Sequence, residues 1–373
     1  MWFLGMDIGT GGTRAVVVDG AGKLIAGASS EHEAFKTAHP GWAEQDPEDW
    51  WRAAQEAIRG ALAAAPEPHQ PIAAIGLTGQ MHGAVLLGED GQVLRPAMIW
   101  CDTRTQPQCD WLTEKIGYER LIELTCNPAL PNFTVTKVLW VKEHQPEIFA
   151  RIRHILCPKD YVRYRLTGEF AIDVQEASGT LLLDVTHRRW SREVAEAAGI
   201  AESWLPKVYE SPEVCARISA AAAGLTGLAA GTPVVAGAGD QGAGAVGMGI
   251  LQPGSVSATI GTSGVVFAAT ASPTKDPKGR LHTFCHAVRS VARHGCNAVG
   301  GLELPLAQRD LLCRAGLRQP HRRSGQGSGR QRGAGMGAVS ARRAHAASGP
   351  QGESGLCRHF DQPCRGAFCA CGA

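Results

Sequence analysis

No apolar run in this 373-residue sequence reaches the roughly 18 residues a membrane span needs, and no basic stretch with an apolar segment and cleavage site opens it. Those absences predict no spanning helix, no secretory leader, and a cytoplasmic protein without a membrane partner. The twelve Cys are scattered with no paired CxxC elements at zinc spacing, so neither a disulfide framework nor a structural metal is expected. A GxxxxGK[ST] sequence is also missing, which excludes a P-loop kinase. Only 19% of residues are charged, the net charge is +2 and 44% are hydrophobic. That is ordinary globular composition, with enough chain for two cores.

Residues 289–373 lack more. They hold no Lys, Ile, Thr, Tyr or Trp, and only four acids (Glu303, Asp310, Glu353, Asp361) against thirteen Arg. All nine Trp lie ahead of this stretch, yet it carries six of the twelve Cys and 15 of the 46 Gly. Basic charge without interleaved aromatics argues against a nucleic-acid partner. The spacing of Cys364, Cys369 and Cys371 is poor for a metal. The composition predicts a disordered tail, and it is what a GC-rich gene yields when read out of frame.

What is present ahead of the tail reads as an α/β chain. "MWFLGMDIG", "TRAVVVD" and "KLIAGASS" predict a three-stranded meander joined by tight turns. "DPEDWWRAAQEAIRGALAAA" predicts a helix with Asp46 as N-cap and Pro47 in its first turn, Trp50 and Trp51 serving as packing residues along with Trp42. "IAAIGLTG" is a further strand and "GAVLLGEDGQVL" a hairpin around Glu89-Asp90-Gly91. "TVTKVLWVKEHQPEIFARI" and "WSREVAEAAG" continue the helical pattern. "TPVVAGAGDQGAGAVGMGI" is a buried strand running into a small-residue helix, and a first domain ends near there. Together these predict a mixed sheet covered by helices.

The turn Gly9-Thr10-Gly11-Gly12 lets backbone N–H groups approach a polyanion, because glycine has no Cβ to block contact. Thr10 and Thr13 add hydroxyls. A carboxylate beside such a turn repels phosphate unless a divalent cation lies between, so Asp7 reads as a magnesium-facing group. An ordinary hairpin with Asp at a strand end is the plainer alternative. "SVSATIGTSGVVFAAT" repeats the pattern with Gly261, Thr262, Ser263 and Gly264. Two such turns about 250 residues apart imply two similar halves clamping a nucleotide, the ribonuclease H-like, actin-like ATPase arrangement. Asp240 lies between them among glycines at a predicted strand end. Gly237, Gly239 and Gly242 also match GxGxxG, the mark of a dinucleotide-dependent oxidoreductase. No acid for a ribose occurs between Asp240 and Asp276, and Asp240 would occupy the pyrophosphate's place.

"DIGTGGTRAVVVD", "HPGWAEQDPEDWW", "GLTGQMHGAVLL", "IWCDTR", "NFTVTKVLWVKEH", "PKDYVRYRLTGEFAIDVQEASGTLLLDV", "GAGDQGAGAVG" and "ATIGTSGVVF" together resemble the FGGY carbohydrate kinases, and among them the D-xylulose kinases. "QMHG" discriminates most, since glycerol kinases carry a different sequence in that loop; Asn132 departs from the usual pattern. The resemblance runs from about residue 3 to residue 288. It implies ATP and magnesium as cofactors, with phosphates against Gly9–Thr13 and Gly261–Gly264 and the metal on Asp7. It further implies Asp240 as the base that takes a proton from the 5-hydroxyl of D-xylulose. Met81 and His82 would line the sugar pocket, with Gln80, Trp100, Asp102 and Arg104 nearby. His82 as a structural histidine, Met81 as core filler and Asp102–Arg104 as a local ion pair stay open.

On this reading residues 1–246 form the N-terminal kinase domain, 247–288 begin a truncated second domain, and 289–373 is the tail. With permitted codons and a one-base shift, "SVARHGCNAVGG" and "RRAHAASGPQGESG" each yield segments resembling the family's continuation. A frameshift near Arg289 is therefore expected, testable in the gene around that codon, and the chain is then an active pentulose kinase or a catalytically dead sugar-binding fragment. L-ribulose, gluconate and glycerol remain alternative substrates, and a homodimer is left open.

Overall fold

The computed structural model describes residues 1–260, 264–288 and 291–297. The opening meander forms as expected: β1 (Trp2–Ile8), β2 (Gly12–Asp19) and β3 (Leu24–Glu31) pair antiparallel. Side chains alternate along β1, so Trp2, Leu4, Met6 and Ile8 enter the core while Asp7 points to the opposite face. Helix α1 (Pro47–Ala63) starts where Asp46 accepts the Glu48 N–H and Pro47 fills the first turn. Its buried face of Trp50, Trp51, Ala54 and Ile58 joins the same core as β1. Burying an indole of about 150–250 Å² contributes on the order of 4–6 kcal/mol, which accounts for the packing role of Trp50 and Trp51.

Strand β4 (Ile72–Gly79) runs parallel to β1. Later segments β5 (Val214–Arg217), β6 (Pro233–Val235) and β7 (Ala238–Gly239) complete a mixed sheet of order β5-β6-β4-β1-β2-β3, with β7 also paired to β4. The hairpin expected around Glu89-Asp90-Gly91 is corrected in part. Its turn closes, with the Gly88 N–H on the Gln92 carbonyl and Gly91 at φ +72°, but a single bridge between Leu87 and Val93 joins its arms. The Leu94 N–H also reaches the Leu86 carbonyl at 2.9 Å, and Val85–Leu87 pairs in addition with His154–Leu156, because tertiary pairing buries that apolar strand on a second edge.

Four helices matter for the site: α2 (Thr134–His144), α3 (Pro158–Thr167), α4 (Val174–Ser178) and α5 (Asp240–Gly247). The last is the small-residue helix expected after the buried strand. A second, antiparallel sheet of order β8-β9-β11-β10 consists of β8 (Val256–Ile260), β9 (Gly264–Thr270), β10 (His282–Cys285) and β11 (Val291–Asn297). Ile260 pairs with Gly264 across the expected second hairpin; Gly261, Thr262 and Ser263 lie outside the described residues. The structureless reading of the tail is corrected over residues 291–297, whose backbone pairs with β9 and β10. Residues 298–373 lie outside the described residues. Among those described, no helix is long and apolar enough to cross a membrane.

Candidate active site

Asp7, Thr78 and Ala238 stand in register on the adjacent parallel strands β1, β4 and β7. Each strand ends within a residue of that row, and Asp240 follows β7 at once. The carboxyl ends of parallel strands are where open α/β sheets present ligand crevices. Burial raises the Asp7 carboxyl above the usual range, opposed by the Arg14 charge across the hairpin. Asp240 is pushed up to about 7, first by surrounding protein and then by the charge on Asp7, against the Gln241 N–H that Oδ1 accepts at 2.7 Å. The residue is nevertheless solvent-accessible, so water screens this push until a ligand displaces it.

The Thr78 hydroxyl beside Asp7 in the sheet is buried with no hydrogen-bond partner. Two mutually repelling carboxylates and an unsatisfied hydroxyl are hard oxygen donors, and this set fits magnesium. Among the described residues no group of three or more His, Cys, Asp or Glu could hold a metal. Magnesium held by one or two carboxylates together with phosphate and water needs none.

Glycines let the Asp240 segment pack this closely. Gly237 sits at φ +75°, and a Cβ there would lie 2.0 Å from the Leu77 carbonyl oxygen. A Cβ on Gly239 would lie 2.5 Å from Met81 Cγ, and one on Gly242 2.7 Å from Gln175 Cδ. Gly239 donates its N–H to Gln175 Oε1 at 2.7 Å. This GxGxxG therefore serves close packing against the Leu77 backbone and the Met81 and Gln175 side chains, with no open backbone cradle for a pyrophosphate, and the dinucleotide alternative falls away.

At the first turn, the Gly9 N–H closes on the Gly12 carbonyl at 3.0 Å. Gly12 must lack a Cβ, which would meet the Ser30 carbonyl oxygen at 2.7 Å, whereas Gly11 faces open space. The expected phosphate role of the Thr13 hydroxyl is corrected. Thr13 is fully buried, and its Oγ1 lies 2.9 Å from His32 Nε2. His32 Nδ1 faces the Thr10 carbonyl, which can only accept, so Nδ1 carries the proton and Nε2 accepts the Thr13 O–H. Thr10 Oγ1 accepts the Trp100 indole N–H at 2.9 Å.

The loop after β4 holds the expected sugar residues. His82 adopts a left-handed backbone, φ 67°, and three bonds hold it there. Its ring Nδ1–H donates to the Gly179 carbonyl at 2.6 Å, while its own carbonyl accepts Lys137 Nζ at 3.0 Å and Thr134 Oγ1 at 3.2 Å. Burial drives the imidazole down to about 3, so the ring is neutral and Nε2 carries a lone pair. Met81 is buried against Gly239 and Gly179.

For Gln80, Asp102 and Arg104 the expected approach to sugar gives way to internal roles. Gln80 Nε2 donates to Gln45 Oε1 at 2.9 Å and to the Gly9 carbonyl at 3.3 Å, bracing the phosphate turn from behind. Asp102 accepts the Ala43 N–H at 2.7 Å and pairs with Arg104, whose guanidinium also meets Glu44 at 2.8 Å and lies 3.5 Å from the centre of the Trp42 ring. Trp100 spends its N–H on Thr10. Gln175 and Lys137 escape sequence reasoning because Gly239 and His82, the partners that bring them to the site, lie 64 and 55 residues away along the chain.

Residues 2–247 match the FGGY family of carbohydrate kinases, N-terminal domain. The chain is 41% identical over 288 residues to the xylulose kinase of Escherichia coli K12, covering 77% of this chain and 58% of that protein. It is 40% identical over 285 residues to the xylulose kinase of Bacillus subtilis 168, covering 76% and 57%. A crystal structure described as a xyloylose kinase from Brucella ovis superposes with a TM-score of 0.77 at 38% identity, covering 85% of this chain and 64% of that one. The chain thus spans somewhat over half the length of the relatives it matches. With its parallel strands converging on two aspartates in the mixed α/β, actin-like fold of those relatives, the chain belongs to the FGGY family of carbohydrate kinases.

Proposed function

We propose that this chain carries the sugar-binding and base-bearing part of an ATP-dependent, cytoplasmic kinase that converts D-xylulose to D-xylulose 5-phosphate. The observation that carries the reading is the placement of Asp240 at a strand end, facing Asp7 and flanked by the Met81–His82 loop. The likeness to xylulose kinases supports the choice of sugar. Residues 1–246 then carry sugar and base, and residues from 247 begin the second half of the clamp.

Phosphoryl transfer depends on positioning and charge neutralisation more than on covalent chemistry. The backbone of Thr10–Gly12 receives phosphate oxygens, and the turn at Gly261–Gly264 is assigned the same task. Asp240 accepts the proton of the sugar's 5-hydroxyl as that oxygen bonds to the γ-phosphorus and the bond to the ADP oxygen breaks. A carboxyl raised towards neutrality is well matched to this task. Asp7 would hold magnesium or its waters, and such an ion would supply positive charge to the transferring phosphoryl group. The neutral His82 ring offers Nε2 as an acceptor for a sugar hydroxyl, its orientation fixed by Gly179.

A coupled ADP-release assay with D-xylulose, L-ribulose, gluconate and glycerol tests the reading, with Asp240→Asn as the control. Turnover with D-xylulose that Asp240→Asn lowers at least a hundredfold supports it; undiminished turnover overturns it. Because the chain covers 58% of a relative's length, a second reading is a fragment that binds sugar without turnover. Calorimetric D-xylulose binding in the absence of ADP release would select that one.

A further inference from the structure

Gln175 is fully buried in the first turn of α4 and is absent from the roles described above. Its own N–H donates to Asp173 Oδ1 at 2.9 Å, and the other oxygen of Asp173 accepts Lys159 Nζ at 2.7 Å, so the start of α4 is anchored from α3. The side chain reaches in two directions. Oε1 accepts the Gly239 N–H at 2.7 Å, and Nε2 lies 3.6 Å from Met81 Sδ. The Gly239 N–H can only donate, which fixes the amide orientation and leaves the NH₂ end to face the thioether. A Cβ on Gly239 would stand 2.9 Å from Gln175 Oε1, and one on Gly242 2.7 Å from Gln175 Cδ, so the amide is wedged against both glycines that flank Asp240.

We propose that Gln175 is a positioning residue that fixes the Asp240 segment and the Met81 wall relative to each other, setting the width of the sugar pocket. The reach towards catalysis rests on Asp240 being the base; the mechanical claim does not. Gln175 Oε1 supplies the acceptor that the Gly239 N–H at the head of this segment needs, and without it a buried donor is left unpaired. Leu fills similar volume but offers no acceptor. A neutral Glu keeps a carbonyl towards Gly239 and a hydroxyl towards Met81.

Two measurements on the full chain separate the layers. Amide hydrogen exchange over residues 238–247, normalised to intrinsic rates, reads positioning without any ligand. Gln175→Leu is expected to lower protection there about tenfold or more, and Gln175→Glu to restore it at pH 6. At pH 8 the rescue is expected to fail, as the new carboxyl ionises among Asp173, Glu176, Asp240, Asp160 and Asp7 with Lys159 the neighbouring cation. Calorimetry with D-xylulose reads the pocket: affinity falls about tenfold in Gln175→Leu and returns in Gln175→Glu at pH 6. Unchanged protection in Gln175→Leu overturns the proposal. Altered protection in a chain that never binds D-xylulose retains the positioning role and overturns the sugar reading instead. Should Gln175→Leu not fold, the pH 6 to pH 8 comparison within Gln175→Glu decides, and equal protection at both pH values counts against the proposal.

Discussion

Asp7 and Asp240 stand at the same end of the large sheet with a single strand between their own, and Thr78 on that strand is in register with both Asp7 and Ala238. The charge on Asp7 helps to raise the Asp240 carboxyl to about 7. Removing it favours the ionised form of Asp240. Asp7→Asn should therefore move the acidic limb of any pH profile that depends on Asp240, whether turnover or sugar affinity, to lower pH. A carboxyl raised in the folded state leaves that state binding more protons above about pH 4, so stability is lost as pH rises through its raised value, and water at the open site makes that loss smaller than the full shift to about 7 implies. Asp240→Asn should accordingly gain melting temperature relative to the unsubstituted chain at pH 8 and show little difference at pH 4, while losing its function.

Lys137 is fully buried, and burial lowers its ammonium to about 7. It donates to the carbonyls of His82 and Asn132. The penalty for holding this charge is complete below pH 7 and disappears as pH rises towards the ordinary lysine value, so the native protein should gain stability over that range. Lys137→Met should abolish this gain in melting scans from pH 7 to 10. It should also leave the Asn132 carbonyl unmet at a cost of about 1–3 kcal/mol, and weaken sugar binding by leaving Thr134 alone to hold the carbonyl of the left-handed His82.

Two neighbouring glycines should behave differently. Gly12→Ala drives a Cβ to 2.7 Å from the Ser30 carbonyl oxygen and should unpair β2 from β3, lowering the denaturation midpoint. Gly11→Ala meets nothing within 4 Å and should leave stability within about 1 kcal/mol. Its methyl group nonetheless stands on the side of the turn where the proposed function places phosphate. Nucleotide affinity measured in both variants separates the turn's structural and binding duties.

Asp102→Asn tests whether this carboxylate serves sugar or fold. The side chains of Asp102 and Arg104 are 0% and 2% exposed, and breaking a buried ion pair from one side costs about 3–5 kcal/mol. Urea denaturation should show a loss of that order. A stability change below about 1 kcal/mol would return Asp102 to the sugar pocket.

Local chemistry explains what could be read from the sequence. The meander, the capped helix after Asp46, the strand entering a glycine turn at Asp240 and the Gly-Thr hairpins are set by residues within a few positions of one another, through glycine's freedom, capping geometry and apolar periodicity. The short hairpin around Gly91 was legible, but the longer pairing of Val85–Leu87 was not, since that partner lies some seventy residues away.

The sequence by itself determined which groups are candidates for chemistry: two aspartates, two glycine turns and the Met-His loop, because such candidates are picked out by residue type beside backbone that permits close approach. The tertiary structure alone decided which polar side chains remain available. Thr13 is claimed by His32, Gln80 by Gln45, and Arg104 by Asp102, Glu44 and Trp42, while Gln175 is brought 64 residues back to Gly239. A buried donor or acceptor must find a partner wherever the folded chain supplies one, and no spacing along the sequence encodes which partner that will be.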